Sequence, residues 1–377
     1  MPESGLLQRA HALLPTMLDA VGALVRVESP SEDLAACTAV AHEAAEIAGG
    51  WLPSPARVEQ HGGRPVWRWG PDQPAVLLLG HLDTVWPVGT ISRLPFTNDG
   101  DRLRGPGVFD MKAGVVQGWA ALALASSAGI ADVGMLLTTD AEIGSPASRE
   151  VIRTSTERAD AVLVLEPSLD GALKTSRKGT SWYDVHLVGR AAHAGLDPER
   201  GINALLAAAE LAVASTRWAE QSSGTTVTPT ILRAGTTANT VPADAHLVLD
   251  VRAWTAAEQV RVDRAVRAWL PEEGPAQVHI DGGIDRPAME ESASAGLFVL
   301  AQGAAARIGM EGLHGRAVGG ASDGNLTAAA GVATLDGLGA VGDGAHADHE
   351  WVSVPAMAER SALLAALLDS LVGRGTT

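Results

Sequence analysis

Residues 133–146 read VGMLLTTDAEIGSP: an unbroken apolar run, two threonines, then an aspartate and a glutamate with an alanine between them. A short continuous apolar run closed by turn-forming residues predicts a strand buried on both faces of a sheet. The same pattern recurs in AVLLLGH (75–81) and AVLVLEP (161–167), with helix-like stretches such as MKAGVVQGWAALALASSAG (111–129) between the runs. Such strands alternating with helices predict a mostly parallel sheet covered on both sides, the α/β class.

Farther along the chain the periodicity changes. SWYDVHLVG (181–189) and AHLVLDVRAW (245–254) alternate polar with apolar residues, the pattern of a sheet buried on one face only. With the helix-like segments 201–219 and 256–270 and the runs 225–235 and 276–283, the order is βαββαβ, the ferredoxin-like plan. The first pattern then returns in GLFVLAQGAAARIG (296–309) and GVATLDGL (331–338). We therefore expect a discontinuous domain of residues 1–177 and 289–377, with residues 178–288 inserted as a second domain.

At 377 residues and 46% hydrophobic content, the chain can bury a sizeable core without staples. A formal net charge of −16 argues against nucleic acid as a partner, since phosphates demand Lys and Arg. A single cysteine, Cys37, excludes an internal disulfide framework, and its Ala-rich setting suits a small buried residue better than a nucleophile. No basic leader with a continuous apolar core opens the sequence, and no apolar run reaches the roughly 18 residues that span a bilayer. The expectation is a soluble cytoplasmic protein with no membrane contact.

The three apolar runs end in metal-ligand types: His81 and Asp83 after the first, Asp140 and Glu142 after the second, Glu166 after the third. In open α/β sheets the carboxyl ends of the strands line the ligand crevice, so these side chains should converge. Asp110, between a Gly/Pro turn and a helix expected to begin at Met111, and His346, in a Gly-rich loop, extend the set. Carboxylates and imidazoles at that density need a compensating cation, and a His/Asp/Glu set without thiolates suits zinc or a similar divalent ion. Asp83, two residues beyond His81 on an extended chain, is placed to orient its imidazole. A rival pattern, GASDG (320–324), matches the G-x-S-x-G elbow of serine hydrolases, but LHGRAVGG (313–320) lacks the apolar strand that elbow requires.

These residues resemble the dizinc metallopeptidases that comprise aminoacylases, acetylornithine deacetylase, succinyl-diaminopimelate desuccinylase and glutamate carboxypeptidase, and are most similar to the last branch. The resemblance rests on GHLDTVWP, LRGPGVFDMKAG, TTDAEIGSPASR, LEPS, VGRAAHAGLDPERGINAL, TANTVPADAHLVLDVR, GGASDGN and GDGAHADHE, in the family's order over almost the whole chain. It implies that His81, Asp110 and Glu166 hold one zinc ion, and that Asp110, Glu142 and His346 hold the other, with Asp110 bridging. It implies further that the inserted domain forms a homodimer and that His193 enters the partner subunit's active site to stabilise the oxyanion. Asn239 and Arg252 would contact substrate, Arg252 gripping a carboxylate through its planar fork. The implied activity is hydrolysis of an amide in a small N-acyl amino acid or peptide bearing a free carboxylate.

One position departs from the family. Relatives write Asp-Glu-Glu where this chain has Asp140-Ala141-Glu142, and the first of those glutamates is the general base that takes the proton of the attacking water. Three explanations fit Ala141: a base knocked out so that substrate is trapped, a natural relative that binds substrate or transfers an acyl group without hydrolysis, or another residue acting as base. The intact remainder of the site favours the first.

Overall fold

The structure, a computed structural model, describes residues 4–127, 129–271 and 276–372. It divides into two compact units, one of Met1–Ser176, Glu291–Val318 and Ser322–Thr377, the other of Arg177–Glu290 and Gly319–Ala321.

The first unit is built on a six-stranded sheet in the order Arg57–His61, Arg64–Trp69, Val133–Thr138, Val76–His81, Ala161–Val164, Ala333–Leu335. The last four are parallel to one another, and the first two form an antiparallel edge. Because successive side chains point to opposite faces, the unbroken apolar runs feed two separate cores. Leu78, Met135, Leu137 and Leu163 pack into the larger core, with helices Ser4–Arg26, Leu34–Ala48, Ala113–Leu124, Glu291–Arg307 and Val354–Val372. Leu77, Leu79, Leu136, Val162 and Val164 pack on the other face against Val151 and Ile152 of helix Arg149–Ser155.

Parallel register sets the strand ends side by side, with His81 opposite Thr138 and Leu79 opposite Val164. A second, four-stranded sheet pairs Trp351–Ser353 with Arg102–Arg104 on one side and Gly342–Asp343 on the other. It draws together two loops far apart in sequence, the one ending in Asp110 and the one carrying His346. The helix expected from Met111 begins later: Asp110 and Met111 have non-helical backbone angles inside a wide turn over Val108–Lys112, and the α-helix starts at Ala113.

The second unit is a four-stranded antiparallel sheet in the order Thr226–Ala234, Asp244–Ala253, Gly179–Val188, Gln277–Arg286. With helices Ala204–Thr216 and Ala256–Ala268 this is the ferredoxin-like βαββαβ arrangement. Tyr183, Val185, Leu187, Leu247, Leu249 and Val251 face the helices, and the residues between them are partly or fully exposed. Among the described residues no helix is long and apolar enough to cross a membrane.

Candidate metal centre

His81 closes strand Val76–His81 and is 4% exposed. Its Nε2 lies 3.4 Å from Asp110 Oδ1 and 3.6 Å from Glu166 Oε1, the carboxylate two residues past strand Ala161–Val164. His346 Nε2 donates to Glu142 Oε1 at 3.1 Å and lies 3.4 Å from Asp110 Oδ2. Asp110 thus presents one oxygen to each imidazole. Ligand atoms of His81, Asp110 and Glu142 all fall within 4.8 Å of one another. The structure therefore brings together His81, Asp110, Glu142, Glu166 and His346.

The electrostatics describe a site built around positive charge. Burial opposes ionisation of Asp110, yet the imidazoles of His346 and His81 hold its carboxyl far below the usual range. Burial likewise opposes charge on His81, but Asp110, Asp83 and Glu166 outweigh it and hold the imidazole well above its ordinary value. Asp110 and Glu142 raise His346 to about 10. Burial, countered by His346 and reinforced by the charge of Asp110, pushes the Glu142 carboxyl up. The carboxylates push both imidazoles toward the charged form, and divalent cations would balance the same negative charge with both rings neutral. Asp110 Oδ1 is buried without a hydrogen-bond partner, as an oxygen reserved for a cation would be. The donor set fits zinc or a similar divalent ion.

Asp83 meets this cluster in two ways. His81 Nδ1 donates to the main-chain oxygen of Asp83 at 3.0 Å, with the carboxylate Oδ1 at 3.5 Å. The carboxylate, fully buried, accepts from Ser31 Oγ at 2.6 Å and from the backbone N–H groups of Ala141 (3.3 Å) and Glu142 (3.1 Å). It therefore fixes both the imidazole and the turn that presents Glu142.

That turn, Ala141–Ile143, leads into Gly144 and Ser145, both with positive φ. Asp140 is buried and turns away to accept from the N–H groups of Ala147 (2.8 Å) and Ser148 (3.2 Å). Ser145 Oγ donates to buried Asp323, which tethers the far side of the loop. Ser322, of the serine-hydrolase pattern, donates to Asp336 at 2.6 Å. The segment before it forms a short strand, Gly315–Val318, paired with Leu173–Arg177 rather than with the central sheet.

Sequence reasoning passed over Glu350, which is 3% exposed and accepts four hydrogen bonds beside Asp110. Burial pushes its carboxyl up to about 6 against those donors. The only available signal was its place four residues after His346 in GDGAHADHE. Ser31 and Asp323 were missed as well, because a polar residue that supports a ligand has no spacing rule.

His193, Asn239 and Arg252 lie in the second unit. His193 Nδ1 accepts from the N–H groups of Gly195 and Leu196, both at 3.1 Å, which fixes the ring on an exposed loop. The Ala194 N–H donates to the Asn239 carbonyl at 2.9 Å, so these two positions share one corner of the unit. Arg252 is near the other end of strand Asp244–Ala253, where its fork grips Asp250 with two bonds of 2.8 Å and its guanidinium lies 5.2 Å from the Trp182 ring centre.

Residues 77–370 match the sequence profile of peptidase family M20/M25/M40. The chain belongs to peptidase family M20. This M20 chain is 34% identical over 311 residues to carboxypeptidase G2 from Pseudomonas sp. strain RS-16, covering 78% of itself and 74% of that relative. Its fold is similar to aminopeptidase PepT from Bacillus cereus, with a TM-score of 0.72 and 20% identity over 96% of this chain and 99% of the other. It is similar too to the Bacillus subtilis YXEP protein, described as a dinuclear metal binding peptidase of the M20 family (TM-score 0.65, 14% identity, 96% and 99% covered). These solved structures share the α/β fold with an added ferredoxin-like unit over nearly their whole length.

Proposed function

We propose that this M20 chain is a two-metal amidohydrolase scaffold for a small N-acyl amino acid or peptide with a free carboxylate, and that its general base is missing at Ala141. The observation that carries the reading is Asp110, with one carboxylate oxygen facing His81 and the other facing His346. His81, Asp110 and Glu166 would hold one ion, and Asp110, Glu142 and His346 the other, zinc being the metal the donor set favours. When bound, the pair supplies polarisation of the substrate carbonyl and acidification of water. The names of the relatives, a carboxypeptidase and a dinuclear peptidase, support the same assignment.

The chain's own residues define what is lacking. At 141 a methyl group stands where a carboxylate would accept the proton of the attacking water. Glu142 is engaged with His346, and Asp140 is turned toward Ala147 and Ser148, so neither neighbour is placed to take that proton. Asp83 keeps the turn in its working shape regardless of the side chain at 141, because it holds the backbone N–H there. Substrate binding is thereby retained while proton transfer is lost.

His193 would stabilise the developing oxyanion, and Asn239 and Arg252 would contact substrate. His193 and Asn239 sit before the first residue of strand Asp244–Ala253 and Arg252 near its last. At about 3.3 Å per residue, that strand alone separates them by about 26 Å. One small substrate cannot touch both ends of one sheet, which supports a homodimer in which His193 and Asn239 act on the partner's site.

The test is to compare the chain with Ala141→Glu at matched metal content on a panel of N-acyl amino acids and dipeptides. The glutamate form should hydrolyse at least one substrate about 10²- to 10⁴-fold faster, the usual contribution of a positioned acid–base group. Metal analysis should find close to two ions per chain in both forms. No gain on any substrate, with metals and fold intact, would favour the alternative of a metal-containing protein that binds without hydrolysis.

A further inference from the structure

The wide turn that delivers Asp110 has few backbone bonds of its own, the Lys112 N–H donating to Gly107 O at 3.0 Å and the Ala113 N–H to Val108 O. Asp110 (φ −115°, ψ 94°) and Met111 (φ −135°, ψ 32°) interrupt the helical run, so the hydrogen-bond ladder of helix Ala113–Leu124 does not reach Asp110. Gly107, with φ of 71°, adopts the left-handed conformation that other residues resist. At its far end the side chain meets only the two imidazoles, His81 and His346, each at 3.4 Å, and its Oδ1 makes no hydrogen bond.

What grips the turn is Glu350. Its Oε1 accepts from the N–H groups of Phe109 (2.8 Å) and Asp110 (3.0 Å), and its Oε2 from the N–H of Gly107 (2.9 Å) and the indole Nε1 of Trp86 (3.0 Å). Four donors match the four lone-pair sites of a carboxylate, and each bond to an ionised acceptor is stronger than its neutral counterpart. Three N–H groups of one short segment converging on one anion form a nest, here filled by a side chain from the loop that also carries His346. Trp86 extends the same grip to the loop that follows His81 and Asp83. One carboxylate therefore joins the backbones around three of the presumed ligands.

We propose that Glu350 is a positioning residue that holds the Asp110 turn in its ligand-presenting shape before any cation arrives. The inference rests on the two-ion reading for its purpose, though not for its geometry. A site organised in advance binds its metal without having to order the loop at that moment, and the cost of losing Glu350 falls on metal affinity even in a chain that remains folded.

Hydrogen exchange on the wild-type chain, stripped of metal with a chelator, tests the first half. The amides of Gly107, Phe109 and Asp110 should exchange at least about a hundredfold more slowly than in the unfolded chain. Protection that appears only after zinc is added would overturn the proposal, because the metal would then be shaping the turn. The second half is tested with Glu350→Gln, whose amide puts an N–H₂ against donors. Zinc affinity by chelator competition should fall about ten- to a hundredfold, and the visible spectrum of the cobalt-loaded protein should change.

The control is Asp369→Asn, which weakens a carboxylate that accepts from Ser126 N and Oγ away from the ligands. It should leave zinc affinity and the cobalt spectrum unchanged whatever it does to melting temperature. A folded Glu350→Gln chain with wild-type affinity and spectrum would sink the idea. If that variant does not fold, the exchange measurement on the wild type decides. Should the wild type take up no zinc or cobalt at all, the two-ion reading fails, while the exchange result still rules on the clamp.

Discussion

At the residue scale, two side chains with reactive groups behave in opposite ways. Asp110 keeps an oxygen free of hydrogen bonds at the centre of a charged cluster, whereas Cys37 is sealed off, its thiol directed at the carbonyls of Pro30 (3.4 Å) and Thr139 (3.6 Å). Burial, reinforced by the charge of Asp83, raises the Cys37 thiol from its ordinary 9.0 to about 11. The native state thus favours the protonated thiol. Its contribution to stability is complete below pH 9.0 and is lost as pH rises toward about 11, because the unfolded thiol ionises first. Denaturant unfolding of wild type and Cys37→Ala should therefore show a stability difference that is constant below pH 9 and shifts against the wild type between pH 9 and 11. At pH 8 a thiol reagent should label the native chain only as fast as it unfolds, and rapid labelling would place Cys37 in an exposed, activated setting instead.

At the scale of elements, strand Val76–His81 has every residue buried and supplies both cores as well as His81. Its neighbours on either side are parallel, so a defect in it is not absorbed at an edge. Leu79→Ala removes a fully buried side chain two residues before His81. It should cost about 2–5 kcal/mol in a denaturant titration, the range for Leu-to-Ala in a close-packed core. A loss under about 1 kcal/mol would mean that the smaller core is loosely packed. The four-stranded sheet around Trp351–Ser353 has a different part to play. Trp351 pairs with Arg104 and lies under the Arg102 guanidinium, 4.0 Å from the ring centre, and this pairing keeps the Asp110 and His346 loops adjacent.

At the scale of the whole molecule, the chain divides its presumed chemistry between units: ligands in the first, His193, Asn239 and Arg252 in the second. The dimer proposed from the two ends of strand Asp244–Ala253 has a direct consequence. In the Ala141→Glu background, His193→Ala chains and Asp110→Ala chains should each be inactive. After subunit exchange, hybrids with one intact metal site facing an intact His193 should recover up to about a quarter of full activity, by random mixing of a two-fold assembly. Exchange verified by mass spectrometry without any recovery would confine His193 to its own chain or remove it from the reaction.

The sequence by itself determined the elements and put ligand-type residues at the strand ends. Unbroken apolar runs mark strands buried on both faces, alternating runs mark a sheet covered on one, and a ligand type at each strand end follows from the parallel arrangement. Those are local patterns, and backbone geometry converts them to structure without further information. His81, Glu142 and Glu166 were legible for that reason. Asp110 and His346 were legible only as ligand types in loops, because the sheet that brings them together consists of pairs such as Trp351 with Arg104, too short to leave a periodic trace. Glu350, Ser31 and Asp323 were decided by tertiary structure alone. Each acts on a backbone N–H, a hydroxyl or a carboxylate from a distant part of the chain, and a hydrogen bond of that kind depends on where two segments meet in space, which no spacing along one segment encodes.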